Sequence, residues 1–191
     1  MGFEHETLSR AERYHGAIFS VYTDEVSMSD GVSARRDVVE NLGAVVVVAL
    51  DELDRVVLIH QYRHPVHARL WELPAGLRDV DGEDPALTAA RELAEEADLT
   101  AGRMDRLVEL HTSPGFTNEH VLVYLARDLT PVADAERHRR TAEEADLEIT
   151  RVDLDEAVAM VFRGEITNAA AVAGVLAAAR ARDTGWATLP V

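Results

Sequence analysis

The 191-residue chain contains no cysteine, which excludes disulfides, thiolate metal sites and thiol catalysis while leaving the redox compartment open. Lysine is absent too, so all 19 cations are arginine against 35 acidic residues, giving a formal net charge of -16. A surface of that sign repels nucleic acid and anionic membranes as a whole, so neither is an expected partner. Any anionic substrate then needs local help, from bound metal or from converging arginines. Long apolar runs are missing as well. The N-terminal MGFEHETLSR has no apolar signal core, and the stretch Ala44 to Leu50 is far too short to span a bilayer, so a cytoplasmic location is expected. No repeat, low-complexity tract or Gly/Ser linker divides the chain.

What is present is an ordinary globular composition, 47% hydrophobic and 28% charged, long enough to bury a core. His15 to Met28 and Arg36 to Asn41 carry β-branched and aromatic residues, and the Ser29, Asp30, Gly31 cluster between them predicts a hairpin. Gly43 to Leu50 and Arg55 to Tyr62 are apolar runs joined by the polar DELD turn, which predicts two strands buried in a central sheet. Asp84 followed by Pro85 marks a helix start, and the Ala- and Glu-rich stretch carries that helix to about Asp98. Strands are expected at Met104 to His111, His120 to Leu125 and Leu147 to Val152. Asp153 and Asn168 are expected to cap two final helices, the first ending near Gly164. Thr130 to Asp146 is polar and without periodicity, and a loop of that length in a compact domain is usually functional or disordered. The order of elements suggests an α+β fold or an α/β/α sandwich with a mixed sheet.

The chemistry concentrates in Gly76 to Leu99, GLRDVDGEDPALTAARELAEEADL. A spacing of three and four puts Glu92, Glu95 and Glu96 on one helical turn, roughly 5 to 6 Å apart at Cβ. Like charges so placed destabilise a helix unless something compensates. Spacing alone leaves two readings open: a solvated acidic face, or a site for a hard cation that takes carboxylate oxygens and shares its waters with substrate phosphates.

The segment resembles the Nudix box, with matches at Gly76, Glu83, Arg91, Glu92, Leu93, Glu95, Glu96 and Leu99. Two departures stand out: six residues rather than five separate Gly76 from Glu83, and Asp98 replaces the second glycine. The insertion falls in the loop before the helix, where it costs little, and Asp is among the few other residues that visit the left-handed conformation a terminal glycine supplies. Beyond the box, HQYRHP, LWELPAG, TSPGFTNE, EEAD and RGEITN are similar to the ADP-ribose pyrophosphatase branch of the Nudix hydrolases, particularly its actinobacterial members, over about Gly16 to Leu176.

That resemblance implies a Nudix fold spanning 43–191, preceded by an N-terminal strand extension over 1–42 that would contribute to dimerisation and to the substrate pocket. It implies hydrolysis of ADP-ribose to AMP and ribose 5-phosphate with Mg²⁺, or Mn²⁺, as cofactor. Glu92 and Glu96 would be the principal metal ligands, Glu95 a further or bridging ligand, and the carbonyl of Ala75 a backbone ligand. Arg91 would pair with Glu83 in a structural role. Glu143, or Glu144 if the register shifts by one, would be the base. Arg36 and Arg63 would sit near the phosphates, Glu72 and Glu119 would contact substrate hydroxyls or amino groups, and Phe19 would stack on adenine. His60, His64, His67 and His111 receive no role, since the box needs no imidazole. The box cannot choose among nucleotide sugars, dinucleoside polyphosphates and other diphosphates. Nudix domains that only sense a ligand form another class, usually marked by lost box carboxylates; none is lost here.

Overall fold

A computed structural model describes residues 5–138, 146–187 and 189. Among them the chain forms two compact units, one made of the residues up to Gly43 with His111–His120, the other of Ala44–Leu110 with Val121 onward.

The first unit is an antiparallel sheet of β1 (Thr7–His15), β2 (Phe19–Ser27) and β3 (Ser33–Asn41), in that order. The expected hairpin is there: the Met28 N–H donates to Val32 O, and Gly31 has φ +84 at the turn, a conformation that suits glycine. His15 to Met28 is not one strand, however. The chain reverses at Gly16 to Ile18, and the polar TLSRAERYH forms β1 with every residue exposed. β1 is held by pairing with β2 and by Arg10, which forks onto the buried Asp24 at 2.8 Å and lies over the Tyr22 ring. The loop between His111 and His120 is tied to β3, with Val39 N–H donating to Phe116 O and Asn41 N–H to Asn118 Oδ1.

The second unit is the α/β/α sandwich. Its central sheet runs in the order β7 (Ala75–Leu77), β4 (Ala44–Ala49), β9 (His120–Pro131), β8 (Leu99–His111). β4 pairs parallel with β9 and antiparallel with β7, so the sheet is mixed, as expected. A second sheet has the order β10 (Glu148–Asp153), β5 (Arg55–Arg63), β6 (Ala68–Glu72). β4 and β5 therefore do not share a sheet; only an isolated bridge, Leu50 with Val56, links them. Both read as continuous apolar runs because both are buried on two faces.

Alternation along β4 divides the core. Val45, Val47 and Ala49 pack toward Ala89, Leu93 and Ala97 of α1 (Pro85–Ala97), whereas Val46 and Val48 pack toward Ala171, Val175 and Ala178 of α3 (Ala169–Asp183). α3 approaches closely: a methyl group on Gly174 would lie 2.8 Å from Leu73 Cδ1 and 3.1 Å from Val48 Cγ2. α2 (Leu154–Phe162) completes that layer through Leu154, Ala157 and Met160. All three expected caps are found. The side chains of Asp84, Asp153 and Asn168 accept from backbone N–H groups of α1, α2 and α3. Among the described residues no helix is long and apolar enough to cross a membrane.

Candidate active site

β7 and α1 build the acidic centre of the second unit. β7 is only three residues long, yet it is fixed by its pairing with β4 and by Val47 N–H donating to Pro74 O at 2.8 Å. α1 starts at its Asp84 cap and Pro85, and it ends at Asp98, whose φ 55 and ψ 37 are left-handed. The Asp98 N–H donates to Leu93 O. The departure from the box glycine thus keeps the backbone that a glycine would supply.

Gly76 faces Glu92 at very close range. A methyl group at position 76 would collide with the Glu92 carboxyl carbon, so any larger residue would push that carboxylate from its place. The Glu92 side chain is 12% exposed. Burial pushes its carboxyl above the usual range; Arg91 opposes that and Glu95 adds to it. Glu96 is buried, and its Oε2 accepts from the Ala75 N–H at 2.7 Å, which pins strand to helix next to the Ala75 carbonyl.

Arg91 answers the like-charge problem posed by the spacing. Its guanidinium lies 2.7 Å from Glu92, 3.7 Å from Glu83, 3.7 Å from Glu95 and 3.8 Å from Asp79. Burial alone would lower its pKa, but Glu92, Glu95 and Glu83 outweigh that and raise it. Glu83 also accepts from Thr88 Oγ1 at 2.7 Å. The expected loop-to-helix ion pair is therefore present, and Asp79, to which no role was assigned from sequence, shares it.

The remaining residues of the second unit pair with each other. Glu72 is 2% exposed, and Arg63 forks onto it, Nη2 to Oε2 at 2.7 Å and Nε to Oε1 at 3.0 Å. Gln61, two residues before Arg63 on the same face of β5, donates to the same carboxylate at 3.2 Å. This pairing depends on the register of β5 with β6, in which Ile59 opposes Glu72, and nothing in local spacing announces it.

Phe19, Arg36 and Glu119 belong to the first unit. Phe19 is 44% exposed beside the Tyr14 ring, with centroids 5.6 Å apart. Arg36 is exposed on β3, its Nη1 donating to Arg35 O at 2.8 Å. Glu119 accepts from Thr112 Oγ1, and its own N–H donates to Thr117 Oγ1 at 3.1 Å. Glu143 and Glu144 lie outside the described residues.

Among the described residues no three carboxylate or imidazole side chains stand close enough together to hold one cation by themselves. That is compatible with magnesium, which uses one or two carboxylates and fills its octahedron with water and substrate phosphate oxygens. The donor set at α1 fits such an ion. It offers hard carboxylate oxygens from Glu92 and Glu96, with Glu95 on the same turn and the Ala75 backbone tied to Glu96 through its amide.

The NUDIX domain model matches residues 40–173, and the chain belongs to the Nudix family and is a hydrolase. Within the family it falls in the ADP-ribose pyrophosphatase branch. It is 49% identical to the protein named ADP-ribose pyrophosphatase of Mycobacterium tuberculosis, over 95% of this chain and 86% of that one. The protein of the same name from Bacillus subtilis is 32% identical over 87% of this chain and 88% of that one. A crystal structure of an ADP compounds hydrolase superposes with a TM-score of 0.81 over 96% of this chain and 97% of that one; at 21% identity this shows the shared fold.

Proposed function

We propose that this hydrolase cleaves the pyrophosphate bond of ADP-ribose, giving AMP and ribose 5-phosphate, with Mg²⁺ or Mn²⁺ as cofactor. The observation that carries the reading is the fit of Gly76, Ala75, Glu92 and Glu96: a glycine that clears space for one carboxylate, and a backbone amide that fixes the other. Relatives named for this activity support the substrate.

In this reading Glu92 and Glu96 are the principal ligands, with Glu95 and the Ala75 carbonyl completing the set. A divalent cation held there would screen the diphosphate and make attack by water at phosphorus easier. Arg91 keeps the acidic turn from repelling itself and holds the loop through Glu83. Glu143 takes the proton of the attacking water, with Glu144 the neighbouring alternative. Arg36 and Arg63 offer guanidinium donors to the phosphates, Glu72 and Glu119 accept from substrate hydroxyl or amino groups, and Phe19 offers a ring to adenine. The pairing of Arg63 with Glu72 supports their acting together, since the carboxylate fixes the orientation of the fork.

The 1–42 extension is proposed to serve dimerisation and the substrate pocket, and the protein to act as a cytoplasmic homodimer on a small nucleotide, not on nucleic acid or a membrane. Its solvent-exposed β1 supports this, because a small sheet gains stability from a further packing surface. The test is incubation of the purified protein with Mg²⁺ and a panel of nucleoside diphosphate derivatives, with products separated by chromatography. ADP-ribose should be consumed fastest, yielding AMP. Faster turnover of a nucleotide sugar or a dinucleoside polyphosphate would reassign the substrate, and tight binding without any product would make the protein a sensor.

A further inference from the structure

The HQYRHPVH segment gives the protein histidines that hydrolysis by the Nudix site does not use. After β5 the chain enters a 3-10 turn over His64–Val66, with Pro65 fixing its first residues, and His67 caps it in a left-handed conformation at φ 50, its N–H donating to His64 O at 3.1 Å. His67 lies just beyond that turn, yet its side chain meets that of His64. Their rings stand 5.0 Å apart at 82°. A left-handed backbone is uncommon for a residue other than glycine, and here it serves to bring the second imidazole round to the first.

Both imidazoles turn the same atom to a common point. His64 Nδ1 and His67 Nδ1 each lie 3.5 Å from the Tyr62 hydroxyl oxygen. That is beyond the roughly 2.5 to 3.0 Å of a good hydroxyl hydrogen bond. It is, however, the spacing of ligands around a small tetrahedral ion. Bonds of about 2.0 to 2.1 Å to nitrogen or oxygen give tetrahedron edges of about 3.3 to 3.4 Å. All three side chains are exposed, so an ion can reach them and water can take the remaining position.

We infer that Tyr62, His64 and His67 form a second cation site, selective for borderline divalent ions such as Zn²⁺, Ni²⁺ or Cu²⁺ and separate from the carboxylates of α1. Imidazole nitrogen suits these ions, whereas Mg²⁺ prefers the all-oxygen set of the acidic helix, so the two sites sort metals by ligand type. The chain's net charge of -16 raises the local concentration of any cation. His64 and His67 are the principal ligands; Tyr62 supplies its oxygen directly or through a bound water.

The test is calorimetric titration of the full chain with Zn²⁺ in excess Mg²⁺, which keeps the acidic helix occupied. Wild-type protein should bind one equivalent, and H64A/H67A should bind at least about tenfold more weakly. His67→Gly is the second variant: glycine accepts the left-handed backbone, so folding is preserved while the ligand is lost, and binding should fall equally. Tyr62→Phe should have a smaller effect, and E92Q/E96Q none. Zn²⁺ binding that survives in His67→Gly and H64A/H67A, or that disappears in E92Q/E96Q, or no binding by the wild type, would overturn the assignment.

Discussion

Glu96 and Gly76 carry opposite kinds of information about the acidic site. Glu96→Gln keeps an oxygen that can accept from the Ala75 N–H, so the fold and melting temperature should hold while turnover falls by orders of magnitude. Unchanged turnover in a folded Glu96→Gln protein would remove this residue from the metal site. Gly76→Ala changes no charge at all, yet its methyl must displace the Glu92 carboxylate. Steady-state kinetics should show a loss approaching that of Glu92→Gln, with circular dichroism unchanged; near-normal activity would mean that Glu92 need not sit against the loop. At Asp51 burial alone would raise the carboxyl pKa, but the Arg55 side chain at 2.9 Å and the Arg55 and Leu53 N–H groups at 3.0 Å outweigh it and hold it below the usual range. A folded pKa below the unfolded one contributes stability in and above the ordinary carboxylate range, and that contribution is lost as pH falls through the folded value. Denaturant unfolding of Asp51→Asn should therefore show a deficit at neutral pH that closes toward the acid end. A constant deficit would contradict the ionic origin.

The elements show which features can be read from sequence and which cannot. Caps at Asp84, Asp153 and Asn168 were legible because an N-cap is a local device, one side chain bonding an amide two or three residues on. Asp84→Ala should cost about 0.5 to 2 kcal/mol in denaturant unfolding. The acidic face of α1 was legible for the same reason, since helical spacing is intrinsic. β1 was not, because its sequence is polar and its order comes from pairing with β2. β4 and β5 were recognised as strands but assigned to one sheet, since burial on both faces erases the alternation that would separate them. β7, three residues long, has too little sequence to carry a pattern and is defined by its neighbours. At the C-terminus of α1, Asp98 occupies a position where glycine has no steric penalty, so Asp98→Gly should raise stability by up to about 1 kcal/mol. A decrease would mean that the contacts of the Asp98 side chain outweigh the strain.

At the scale of the whole molecule, an acidic protein is proposed to act on an acidic substrate, and the conflict is resolved locally. A net charge of -16 repels a diphosphate, so cations held by α1 have to reverse the field where the substrate binds. Long-range pairings such as Arg63 with Glu72 were hidden from sequence because the strand register that creates them is itself a product of folding. Glu92 and Glu96 are proposed to hold divalent ions against a bridging diphosphate instead of merely facing solvent. The most direct measurement is a Mn²⁺ titration followed by electron paramagnetic resonance, in the presence of a non-hydrolysable ADP-ribose analogue, on wild type and E92Q/E96Q. The wild type should deplete the free-ion signal and the double variant should leave it nearly intact; equal depletion by both proteins would mean that these two carboxylates do not hold the ions.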